Sequence, residues 1–113
     1  MKFKSSSQAI KYKNNDTCVA YEYPLSDPDI NAVIVKLTGR YPDTGRTVNT
    51  RCKELVYVIE GKGFVSIEDK KIKINRGDVI LIETGEKFYW EGNLTMFMPC
   101  TPAWTAKQHR FVP

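Results

Sequence analysis

Short apolar and β-branched runs separated by small polar breaks recur through most of the chain. They cover residues 17–23, 32–37, 55–59, 64–67, 71–74, 79–82, 87–90 and 94–98. Each run is rich in Val, Ile, Thr, Tyr or Phe, which predicts strands. The first stops at Pro24 and the second at Gly39. Breaks bearing Gly, Asn or Asp at 60–63, 68–70, 75–78, 84–85 and 91–93 predict tight turns between them. In residues 71–74 lysine alternates with isoleucine, so Lys71 and Lys73 are expected outside and Ile72 and Ile74 inside. No segment sustains a helical period. Many short strands, several apolar on both faces, predict an all-β antiparallel barrel. Residues 26–29 and 39–45 read as polar, Pro-bearing loops, and residues 102–109 as a helical turn or an extended arm.

Composition narrows the picture. A chain of 113 residues supports one domain, 1–113, with a single core. Its apolar runs are far shorter than a bilayer crossing, so no membrane partner is expected. The start of the chain lacks an apolar stretch of signal-peptide length, which with three cysteines outside any CxxC spacing favours a reducing, cytoplasmic setting. The net charge is +4, but the lysines are spread along strand faces rather than interleaved with aromatics. That pattern predicts a solvated surface and no nucleic-acid partner.

Candidate chemistry gathers around two segments, Glu54-Leu55-Val56-Tyr57-Val58-Ile59-Glu60-Gly61-Lys62-Gly63 and Arg76-Gly77-Asp78-Val79-Ile80-Leu81-Ile82-Glu83-Thr84-Gly85. A strand ending in Glu-Gly and a strand opened by Gly-Asp resemble the cupin family of small bacterial-type β-barrels, over about residues 32–100. The resemblance implies a cupin-type antiparallel barrel (a double-stranded β-helix, or jelly roll) with an inward carboxylate at Glu54. Most cupins hold a divalent metal on histidines and a glutamate. Here Glu54 and Gly61 keep the spacing of the first motif, but its histidine positions fall on Val48 and Thr50, or on Thr47 and Asn49. In the second motif Gly77 and Gly85 match, whereas Glu83, Phe88 and Gly92 replace proline, histidine and asparagine. No cofactor is therefore expected. A weak divalent metal would have to use Asn49, Cys52 and Glu54.

Parity assigns the remaining roles. Cys52 and Glu54 share a strand face, as do Phe88 and Trp90, while Tyr57 and Tyr89 fall opposite. A ligand site is expected at Asn49, Cys52, Glu54, Phe88 and Trp90, with Glu54 at its floor, Phe88 and Trp90 as walls, and Asn49 and Cys52 near the rim. Trp104 could join the mouth. A buried Glu54 needs a partner, for which Arg51, Lys87 or a tyrosine hydroxyl are candidates. His109, the only imidazole, lies outside both motifs and is expected on the surface. The expected function is binding of a small polar or carbohydrate-like molecule. One alternative is an isomerase- or dioxygenase-like enzyme using Glu54 as acid/base, metal-free or with the weak metal. Another is a structural or regulatory module without its own ligand. Homodimerisation, common in the family, is expected through residues 2–12 or the strand at 33–37.

Overall fold

The computed structural model describes all 113 residues. Nine strands run β1 (Ile10–Asn15), β2 (Cys18–Tyr23), β3 (Asn31–Tyr41), β4 (Arg46–Asn49), β5 (Lys53–Ile67), β6 (Lys70–Asn75), β7 (Val79–Ile82), β8 (Lys87–Thr101) and β9 (His109–Val112). Short 3₁₀ turns at Ser6–Gln8 and Ala106–Gln108 are the only helical elements. All pairings are antiparallel, in the order β1-β2-β3-β8-β4-β9, with β5 on the other edge of β8 and carrying β6 and β7. The sheet curls on itself as the all-β reading requires.

β5 and β8 are longer than the sequence pattern suggests. The breaks at 60–63 and 91–93 were expected as turns, yet both strands run straight through them. Gly63 pairs with Gly92. A Cβ on Gly92 would lie 2.6 Å from the Gly63 Cα, so the glycines permit close backbone crossing where the sheet bends. A bulge between Val58 and Glu60 inserts one residue into β5. It moves the inward set from even positions (Glu54, Val56, Val58) to odd ones (Val65, Ile67), which keeps them facing inward partners on β8.

Other elements also depart from the pattern. Part of the expected loop at 39–45 belongs to β3, whose inward positions 33, 35, 37 and 41 continue one alternation to Tyr41. The segment 2–12 contributes its last residues to β1, which pairs within the chain. The strand at 33–37 lies between β2 and β8, so both of its edges are already taken and it cannot pair with a second copy. Lys71 and Lys73 face solvent and Ile74 is buried, but Ile72 is 42% exposed. Residues 106–112 form both a turn and a strand, and that strand, β9, pairs with β4.

The core is the concave side: Leu37, Val56, Val58, Val65, Ile74, Ile82, Phe88, Leu94 and Met96 are almost fully enclosed. Burying such side chains contributes about 1.5–3 kcal/mol each. The convex side is also apolar but uncovered. Leu55, Tyr57, Val79, Leu81 and Phe97 are each more than a third exposed and adjoin through the pairs Leu55–Leu81, Tyr57–Val79 and Tyr57–Phe97.

Candidate functional site

The concave side is not completely filled. A cavity of ≈ 560 Å³ opens between β1, β2, β3, β5, β8 and the segment 104–111. Strand alternation delivers its walls. β8 contributes Phe88, Trp90, Met96, Met98 and Cys100, all from even positions, and β3 contributes Val33, Val35, Leu37 and Tyr41. The Phe88 and Trp90 rings meet edge to face, with centroids 6.3 Å apart at 77°. Cys18 on β2 and Met96, Met98 and Cys100 on β8 bring four sulfur-bearing side chains to the lining. Thus Glu54, Phe88 and Trp90 face one cavity.

Glu54 is 7% exposed and faces Cys100 across the β5–β8 pair. Its Oε1 accepts from the Asn49 Nδ2 at 3.3 Å and from the Cys100 Sγ at 3.7 Å. Burial raises the Glu54 pKa, while the hydrogen bonds from Asn49 and Cys100 pull it partly back. Neither Arg51 nor Lys87 pairs with it, and both are exposed. The expectation of a charged or tyrosine partner is corrected: the carboxyl group is satisfied by an amide and a thiol, which serve a neutral acid as well as an ionised one.

Asn49 and Cys52 sit deeper than the rim. They are 1% and 0% exposed and lie behind the lining rather than on it. The physical reason is β4: pairing of Asn49 with His109 turns the amide under the strand, where it meets Glu54 on one side and β9 on the other.

His109 is the largest correction. It lines the cavity instead of the surface. Its Nδ1 is 2.8 Å from the Asn49 Oδ1 and its Nε2 is 3.1 Å from the Tyr41 hydroxyl. Three aromatic rings surround it: Tyr41 stacked at 6.3 Å, Trp104 tilted at 5.4 Å and Phe111 edge-on at 5.7 Å. Burial lowers its pKa to about 4 and pushes the Tyr41 phenol well above its usual value. Both are therefore neutral at pH 7. Tyr41 had a signal in the alternation continuing from Val33; His109 had none, because a β4–β9 pair spanning about sixty residues leaves no local pattern.

No three His, Cys, Asp or Glu side chains converge as a metal site would require. Both His109 nitrogens have partners, the Asn49 amide nitrogen faces Glu54, and an N–H cannot act as a ligand.

Comparison with known proteins agrees with this architecture. A family profile described as a Cupin domain matches residues 35–98. The chain belongs to the cupin family. No curated protein matches it in sequence. Among solved structures, a Streptomyces PAC13 variant with uridine superposes with a TM-score of 0.89 at 19% identity, covering 100% of this chain and 92% of that one. PAC13 is described as a unique nucleoside dehydratase. KdgF from Halomonas sp. gives a TM-score of 0.74 at 18% identity, covering 95% and 97%. Bacillus subtilis oxalate decarboxylase gives 0.81 at 17% identity, covering 99% of this chain and 32% of that chain. At these identities the likeness concerns the fold. No helix of the chain is long and apolar enough to cross a membrane.

Proposed function

We propose that the barrel binds an uncharged, polar, ring-bearing small molecule, nucleoside- or carbohydrate-like, without a tightly held metal. The observation that carries this reading is the charge pattern of the ≈ 560 Å³ cavity. Lys13 is the one cation on its lining, and its side chain is mostly exposed, while the acids Glu22 and Glu54 also face the space. Phosphates and dicarboxylates would find two acids and only one, solvent-exposed, lysine there. A neutral ring would find aromatic and thioether walls with Glu54 as its polar anchor. The uridine carried by a structure of the same fold supports the nucleoside choice.

Trp90 and Trp104 both line the cavity, so intrinsic fluorescence reports occupancy. Uridine is expected to quench it saturably. Uridine monophosphate should bind about tenfold more weakly or worse, a difference of about 1.4 kcal/mol, and oxalate should not bind. Preference for the phosphate or oxalate would overturn the reading.

A second reading, an enzyme of the proton-transfer kind, is favoured by one observation. Glu54 is shifted toward keeping its proton and His109 toward keeping its lone pair, in one cavity. Environments that push two groups apart in this way assign an acid and a base. In that reading Glu54 donates to a leaving oxygen and His109, or Tyr41 through it, accepts a proton.

The exposed convex face of β5, β7 and β8 is proposed as the surface of a homodimer, in place of the strand edges that the fold already uses.

A further inference from the structure

Four side chains connect the C-terminal segment to Glu54, and the direction of every hydrogen bond among them follows from one residue. Gln108 is 6% exposed at the end of the 3₁₀ turn before β9. Its Oε1 accepts from the backbone N–H groups of Arg51 and Cys52, at 3.1 and 3.2 Å. Backbone N–H groups only donate, so the oxygen of Gln108 must face them and its Nε2 must face Asn49. The Asn49 Oδ1 therefore accepts, from Gln108 at 3.0 Å and from His109 Nδ1 at 2.8 Å. That leaves the Asn49 Nδ2 to face Glu54 and fixes the proton of His109 on Nδ1, so its Nε2 accepts from the Tyr41 hydroxyl.

We propose that Gln108 is the positioning residue of this cavity: by anchoring on two backbone N–H groups it locks His109 in the Nδ1–H form, presents an amide N–H to Glu54, and orients Tyr41 as a donor to His109. The proposal rests on the reading of the cavity as the ligand site for its functional meaning, but the polarity itself is independent of any ligand. A buried glutamine that merely filled space would need none of this directionality. Here it satisfies two backbone donors beside the β5 entry and sets the hydrogen-bonding sense of two titratable groups it does not touch, Glu54 and Tyr41.

Reversing the polarity is chemically simple. In Gln108→Glu, at a pH where the new carboxyl is ionised, it still accepts from Arg51 and Cys52, but its second oxygen can no longer donate to Asn49. Asn49 must rotate so that Nδ2 faces the new carboxylate and Oδ1 faces Glu54. His109 Nδ1 then meets a donor and becomes an acceptor, so the proton moves to Nε2 and points at Tyr41. Glu54 meets an acceptor, which favours its protonated form further. The other titratable groups around this chain are Cys18, Cys52 and Cys100.

Nitrogen-15 spectra of His109, the only histidine, read the tautomer directly. In the wild type at pH 7 the protonated-type signal is expected on Nδ1 and the lone-pair type on Nε2. In Gln108→Glu the two are expected to exchange places, and carbon-13 titration of Glu54 should show its midpoint moved upward. A wild-type Nε2–H tautomer overturns the proposal even if the variant fails to fold, and so does a folded variant with an unchanged tautomer and Glu54 titration at a pH where its new carboxyl, followed by carbon-13 in the same titration, is ionised. Uridine titration of the wild type is run alongside. Absence of uridine binding with the Nδ1–H tautomer present refutes the ligand reading and upholds the assigned polarity, so the two failures are distinguishable.

Discussion

Glu54 and His109 should give the molecule opposite pH dependences. An unfolded glutamate titrates near about 4.3, and burial places native Glu54 higher. The folded state then holds a proton that the unfolded state releases, so this contribution is full below about pH 4.3 and is lost as pH rises through the folded value. His109 runs the other way. Its pKa falls from 6.5 to about 4, so its contribution is full above pH 6.5 and is lost as pH drops toward 4. Glu54→Gln keeps the shape and cannot ionise; its melting temperature should match the wild type near pH 4 and exceed it as pH rises until the native carboxyl has ionised, by about 4 °C for each kcal/mol. His109→Gln should gain on the wild type below pH 6.5. Melting curves that stay parallel to the wild type from pH 4 to 8 would dismiss both assignments. Much of this site was legible at the residue scale. Strand parity placed Glu54, Phe88 and Trp90 in one cavity because a period of two needs only local sequence. Asn49 was drawn to the same region but its depth, like the inward turn of His109, depends on β9 returning to β4, and no local pattern encodes that pairing.

The long strands tell the element-scale story. Glu-Gly-Lys-Gly and Glu-Gly-Asn carry the residues of tight turns, and their chemistry was legible, but what they do depends on each other. Gly63 and Gly92 lie opposite one another, and the glycines relieve a crossing rather than reverse the chain. Two substitutions separate these roles. Gly77 and Gly92 both have positive φ, at 91° and 129°. A Cβ at Gly77 meets nothing within 4 Å, whereas at Gly92 it lies 2.7 Å from the Lys62 carbonyl oxygen. Gly77→Ala should therefore cost only the backbone strain of about 1–3 kcal/mol. Gly92→Ala adds a backbone clash and should be clearly the worse of the two in chemical denaturation. Equal losses would mean that the crossing is looser than described.

At the scale of the whole molecule, the sheet has two apolar sides, one folded inward around the cavity and one left open. Apolar runs with no polar alternation were legible as strands covered on both faces; that the outer cover must come from elsewhere was not, because a single chain's pattern does not say which molecule supplies it. The pairs Leu55–Leu81 and Tyr57–Val79 form the centre of the open side. Light scattering at micromolar concentration is expected to return twice the 13.0 kDa chain mass, and Tyr57→Arg combined with Leu81→Glu to return the single mass with the fold intact. A monomeric wild type would remove the dimer proposal. The inner side carries a different liability. Four of its lining side chains carry sulfur: Cys18, Met96, Met98 and Cys100. Peroxide that enters the cavity converts thioethers to sulfoxides, turning a soft apolar wall into a polar, chiral one. Oxidised preparations would thus present a chemically different pocket and, because Met96 and Met98 belong to the core, a less stable fold, so ligand screens are best run on protein whose methionine mass has been verified.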